Sequence, residues 1–189
     1  MLNLQEFEVI KKEEIIINKP KRKEVIIIAN NSNKIGAKFE NRLTKQFERY
    51  RNEKKAYIFK IPTEFVVLRK GAKIVSAFPK KQSPCLDYIG ILPNGKSIVF
   101  EAKTTANKTS FPLSNIKDYQ YDLIKEINYY VDCVFFIIEF RELNETYLVS
   151  GNAILDFKEN NERKSIPYKE FKDIGILMED LDVLKYINY

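Results

Sequence analysis

Apolar residues recur along this chain at two spacings, four apart in two segments and alternate or consecutive through most of the rest. Ile35, Phe39, Leu43 and Phe47 mark one face of a helix and predict one from about Lys34 to Tyr50. Asn30, Asn31, Ser32 and Asn33 supply turn and capping residues ahead of it. Ile116, Leu123 and Ile127 predict a second helix over 116 to 129, capped by Ser114 or Asn115. Between these helices, residues 56 to 61 read as a strand ended by Pro62. Phe65 to Leu68 and Lys73 to Phe78 flank Arg69-Lys70-Gly71-Ala72, the pattern of a projecting arm or an ordinary edge hairpin with Arg69, Lys70 and Lys73 at its tip. Val134 to Ile138 is an unbroken apolar run, expected as a central strand buried on both faces, with Thr146 to Val149 as its neighbour. The tail holds Ala153 to Phe157, a turn-rich 158 to 163, Ser165-Ile166-Pro167 opening a short helix, and a last short helix or strand near Asp182 to Ile187. The order predicts a small α/β sheet with helices packed on it.

The stretch from Asp87 to Lys103 joins two apolar segments through Pro93-Asn94-Gly95, a hairpin signature. Glu101 and Lys103 lie two apart on one strand, so their side chains leave the same face. A three-residue loop centred on Asn94 sets Asp87 opposite Glu101, with Cβ atoms about 5 Å apart. A two-residue Asn94-Gly95 loop sends them to opposite faces, so the three-residue loop, or a bulge, is the expectation.

Composition narrows the chemistry. The 189 residues, 44% apolar and 31% charged, suit one folded domain over 31–189, with 1–30 as a tail or small appended element. That first segment carries two β-branched triplets, Ile15 to Ile17 and Ile26 to Ile28, readable as short strands or as a tail ordered by a partner chain or DNA. No window suggests a membrane span or a signal peptide, and a cytoplasmic location is expected. The two cysteines, Cys85 and Cys133, are expected as reduced thiols. The absence of histidine excludes histidine-based zinc hydrolases and histidine-activated nucleophiles, leaving carboxylates, lysine and Mg²⁺. The net charge of +6 is unevenly spread, since residues 31 to 81 hold 14 Lys and Arg against 4 acids. Such a basic half suits a polyanion, or merely a lysine-rich surface.

Two carboxylates and a lysine meet the needs of phosphodiester hydrolysis. Mg²⁺ takes one or two protein carboxylates and keeps open positions for water and phosphate. Asp87 and Glu101, with the Ala102 carbonyl, are the expected ligands. Lys103 is placed to hold the attacking water or a phosphate oxygen. Glu40 is a candidate for a further carboxylate if the first helix packs over the hairpin, and Gln120 for orienting Lys103 or the water. The plain alternative is a surface hairpin with Glu101 and Lys103 solvated.

Gly95 to Thr104, followed by Asn107-Lys108-Thr109-Ser110-Phe111-Pro112-Leu113 and Gln120, resembles the RecU-type Holliday junction resolvases. Asn33 to Glu40 looks like that family's opening helix motif, and Arg163 to Pro167 like its C-terminal signature. The resemblance implies a restriction-endonuclease-like fold, a homodimer, and Mg²⁺- or Mn²⁺-dependent paired nicking of four-way DNA junctions in recombination and repair. By position it implies that Asp87, Glu101 and Lys103 form the catalytic core, Glu40 the first-helix acid, and residues 62–82 a stalk. Arg69, Lys70, Lys73, Lys80, Lys81 and Lys108 are then the expected DNA contacts. Two readings stand beside it: a nuclease of this fold acting on other DNA, and a DNA-binding protein without catalysis.

Overall fold

The computed structural model describes residues 31–80 and 82–187; the strands or tail considered for residues 1–30, and Lys81, lie outside the described residues. The first helix, α1, runs Asn31–Asn52, starting at the asparagines rather than at Lys34. Phe39, Leu43, Phe47 and Tyr50 form its buried face. It ends where Lys54 adopts a left-handed φ of 56° and the Lys55 N–H turns back to the Tyr50 carbonyl at 2.9 Å.

Strands β1 (Tyr57–Lys60), β2 (Phe65–Lys70), β3 (Lys73–Pro79), β4 (Tyr88–Ile91), β5 (Ser97–Thr105) and β6 (Ser110–Pro112) follow. Then come α2 (Asp118–Ile127), β7 (Cys133–Phe140), β8 (Glu145–Ser150), α3 (Gly151–Asn160), β9 (Ser165–Pro167), α4 (Tyr168–Ile174) and β10 (Gly175–Met178). Six strands form one mixed sheet in the order β1-β4-β5-β7-β8-β10. Among the described strands only β5 and β7 are parallel neighbours, so the chain between them must cross the sheet; it contains β6 and α2.

Alternation along the central strands builds two cores. Phe135 and Ile137 of β7 face one way with Ile98 and Phe100 of β5, under α1. Val134, Phe136 and Ile138 face the other way with Val99, under residues of α2, α3 and α4. Both faces of β7 are therefore buried, as its apolar run predicts, and each large side chain contributes about 1.5–3 kcal/mol by leaving water.

The arm is a two-stranded ribbon in which, among the described strands, β2 and β3 pair only with each other. Gly71 makes its turn at a φ of +62°, which a side chain resists, and the register shifts between Leu68 and Arg69. Every residue of both strands is exposed.

Several boundaries differ from the sequence expectation. A 3-10 turn over Leu113–Asn115 delays α2 until Asp118, and Lys117 is its cap. The deeply buried side of α2 is Gln120, Tyr121 and Ile124, while Leu123 and Ile127 pack beside it, partly buried. Ser165–Pro167 is a strand paired with β6, so the helix expected there starts only at Tyr168. Ala153 to Phe157 belongs to α3, the last described element is a 3-10 turn at Val183–Lys185, and edge strand β10 has no counterpart in the hydropathy pattern.

Candidate active site

The β4–β5 hairpin turns through Pro93-Asn94-Gly95, a three-residue loop. The Leu92 N–H donates to the Lys96 carbonyl at 2.9 Å, the Lys96 N–H to Asn94 Oδ1 at 3.1 Å, and Gly95 takes a φ of +85°. Tyr88 accordingly faces Phe100 and Ile91 faces Ser97. One residue further out, the Asp87 N–H donates to Glu101 Oε2 at 3.0 Å. The turn thus brings the two acids together, as the three-residue register requires.

Glu101 is only 1% exposed, so its carboxylate needs partners. Lys103 Nζ donates to Oε1 at 2.6 Å, and Gln120 Nε2 donates to the same oxygen at 2.6 Å. Gln120 is held in turn, because its Oε1 accepts the Lys117 N–H at 3.0 Å. A buried glutamine on the flank of α2 is therefore a positioning residue for Glu101. Gln120→Ala is expected to lower the turnover of the DNA cleavage proposed below about 10- to 100-fold with little change in DNA affinity. Gln120→Glu, which keeps the acceptor for the Lys117 N–H but lacks the Nε2 donor to Glu101, should not rescue it; single-turnover kinetics beside binding isotherms check both.

Burial pushes the Asp87 carboxyl up to about 7, with Glu101 adding to the shift through its charge and a hydrogen bond, and with Lys103 and Lys60 opposing it. The sign follows: a carboxyl raised in the fold contributes stability that is fully present below the unfolded value near 4 and is lost as pH rises through about 7. In EDTA, wild-type protein should lose stability relative to Asp87→Asn as pH rises from about 4 to 7, by roughly 5 °C in Tm, and the difference should level off above. A pH-independent difference in thermal melts contradicts this.

Among the described residues Glu40 makes no direct hydrogen bond to this pair and forms no three-acid cluster with it. Its carboxylate accepts from Lys60 Nζ at 2.6 Å, and Lys60 Nζ lies 6.0 Å from the Tyr88 ring centroid. The cause is strand alternation: α1 covers the face carrying Tyr88 and Phe100, whereas Glu101 and Lys103 leave the opposite face with Val99, toward α2. Lys60 is the link between them, since its charge also reaches Asp87.

Asp87 lines a narrow cleft of about 110 Å³ with Tyr119 and residues at the foot of the ribbon, including Pro62, Glu64 and Lys80. Burial, then Glu101 and Asp87, raise the Tyr119 phenol, so its ring belongs to the same neighbourhood. Sequence reading missed Tyr119 and Lys60. Tyr119 sits next to Gln120 on the chain, while nothing in the hydropathy pattern marks Lys60. Of the expected DNA contacts, Arg69, Lys70, Lys73 and Lys108 are exposed, whereas Lys80 pairs with Glu64 at 2.7 Å.

The donors suit a hard divalent cation. Among the described residues no three carboxylate or thiol side chains converge, and the chain has no histidine. What converges is two carboxylates, Asp87 and Glu101, beside Ala102, the share a protein gives Mg²⁺ when waters complete its shell. Burial first, and then Glu101, raise the Asp87 carboxyl more than Lys103 and Lys60 lower it; a dication held here would favour its charged form.

Fold and site together define an α/β protein with an acid–acid–lysine centre on a mixed sheet. Residues 34–189 match the family model described as Recombination protein U. The chain belongs to the RecU family. It is 36% identical to "Holliday junction resolvase RecU" of Geobacillus sp. (strain WCH70) over 74% of this chain and 73% of that one. It is also 36% identical to the protein of that name from Pediococcus pentosaceus, over 77% and 76%. The solved structure of Archaeoglobus fulgidus Hjc, a Holliday junction resolvase, is 10% identical, covering 74% of this chain and 98% of that one, with a TM-score of 0.36. No helix among the described residues is long and apolar enough to cross a membrane.

Proposed function

We propose that this protein is a Mg²⁺-dependent endodeoxyribonuclease that resolves four-way DNA junctions by paired nicks. The observation that carries the reading is the hairpin pair of Asp87 and Glu101, tied to Lys103 and Gln120, in a chain whose similar relatives bear the name Holliday junction resolvase. Asp87 and Glu101 hold the ion; Mn²⁺ substitutes for it. When bound there, the ion supplies Lewis-acid stabilisation of charge on the phosphate oxygens and lowers the pKa of the attacking water. Gln120 fixes the Glu101 carboxylate, and Lys103, 18% exposed at its side chain, offers an ammonium to the water or to a phosphate oxygen.

Two symmetric cuts need two related sites, which a two-fold dimer supplies. The ribbon supports that assembly. Phe65, Val67, Leu68, Ile74, Val75 and Phe78 are all 40% exposed or more, leaving apolar side chains on both faces of the ribbon, one of which a second copy would cover. Arg69, Lys70 and Lys73 at its tip then meet the junction.

Incubating the protein with a labelled mobile junction and a matched linear duplex, in Mg²⁺ and in EDTA, tests this reading. Symmetric nicks in the junction alone, in Mg²⁺ alone, are expected. Tight junction binding with no metal-dependent cutting at high protein concentration rejects it.

A further inference from the structure

Beside the first turn of α2 lies a groove of about 520 Å³ bordered by Lys117, Asp118, Lys158, Arg163 and Lys164, with Tyr121 in its lining. Lys158 Nζ sits over the Tyr121 ring, 3.5 Å from its centroid, and 3.3 Å from Asp118 Oδ1. The Asp118 side chain is 99% exposed, so that pair neutralises little. Arg163 meets Glu170 at 2.5 Å. Among the described residues Lys117 and Lys164 pair with no carboxylate. Four cations thus face two acids, one of them solvated.

The groove adjoins the site through a single amide. Gln120 Nε2 holds Glu101 while Gln120 Oε1 holds the Lys117 backbone. Lys117 and Gln120 are less than one turn apart on α2, about 5 Å, comparable with one or two nucleotides of a duplex strand at about 3.4 Å each. The occupied ring face of Tyr121 argues against base stacking, which needs a bare face. Continuity with a site that acts on a phosphodiester argues for phosphate over an acidic protein.

We propose that Lys117, Lys158, Arg163 and Lys164 grip the phosphate backbone of the DNA strand flanking the cut. The proposal rests on the reading of the site as a DNA nuclease, and its test separates the two. Junction binding is measured in EDTA across a salt series for wild type, for Lys158→Gln with Lys164→Gln, and for Lys164→Gln alone. Each lysine that meets a phosphate contributes about 0.9 to the slope of log Kobs against log salt. The double variant should lose about 2 in slope and about 30-fold in affinity at about 0.15 M salt. The single variant should lose about 1, and thermal melting confirms that both fold. Lys96→Gln, at the hairpin turn remote from Glu101, should match wild type. An unchanged slope in folded variants overturns the proposal and turns the groove over to another partner, such as an acidic protein. Wild-type protein that shows the slope difference but never cuts refutes the nuclease reading alone.

Discussion

Glu101→Gln is expected to reduce junction cleavage at least about 10³-fold while leaving junction binding intact. Glu101 is the point where three donors converge: the Asp87 N–H, Lys103 and Gln120. An amide there loses the charge that would hold a divalent ion and turns an NH₂ group toward one of those donors. The lost electrostatic stabilisation is of the size seen when preorganised groups are removed from other active sites, about 10²–10³ per group and more where a metal goes with it. Asp87→Ala and Lys103→Ala should share the phenotype of binding without cutting. Burying an unmatched amide also costs about 1–3 kcal/mol, so a melting curve accompanies the assay. Residual cutting above a tenth of wild type in a folded Glu101→Gln protein removes the site from consideration.

Phe100→Ala should instead cost about 3–5 kcal/mol of stability. Its ring is stacked between Tyr88 and Phe135, each at 4.8 Å between centroids, with Phe47 of α1 edge-on at 5.7 Å. It is fully buried, and two neighbouring strands and a helix close on it, leaving little room for the cavity to collapse. Against a typical total of about 5–15 kcal/mol, the urea midpoint should fall steeply at unchanged m-value. A loss under about 1 kcal/mol contradicts the packing argument. Phe100 and Glu101 are chain neighbours on opposite faces of one strand, so these two substitutions separate folding from chemistry.

The site was legible where local rules determine geometry. A three-residue turn at Pro93-Asn94-Gly95 fixes the register, and the register fixes Asp87 against Glu101. The period-two rule sets Lys103 beside Glu101, and the apolar run at Val134 to Ile138 announces the central strand. The bond of Glu40 to Lys60 was not legible, because it depends on which face α1 covers, a long-range packing outcome that helical spacing does not reveal. The start of α2 escaped for a local reason: the 3-10 turn at Leu113–Asn115 looks, in sequence, like the cap of a longer helix. Lys60 and Tyr119 join the site through tertiary contact alone.

The position of β5 has a consequence for how the molecule opens. This strand pairs with β4 over Ser97 to Phe100 and with β7 over Ile98 to Thr105, so its amides should be released to deuterium through openings close to unfolding of the whole domain. Among the described residues β2 and β3 have no strand neighbour but each other and are exposed throughout, so in the single chain their amides should exchange through openings that cost far less. The candidate site and the ribbon thus occupy opposite ends of the stability scale, so a partner that reorders the ribbon need not loosen the site.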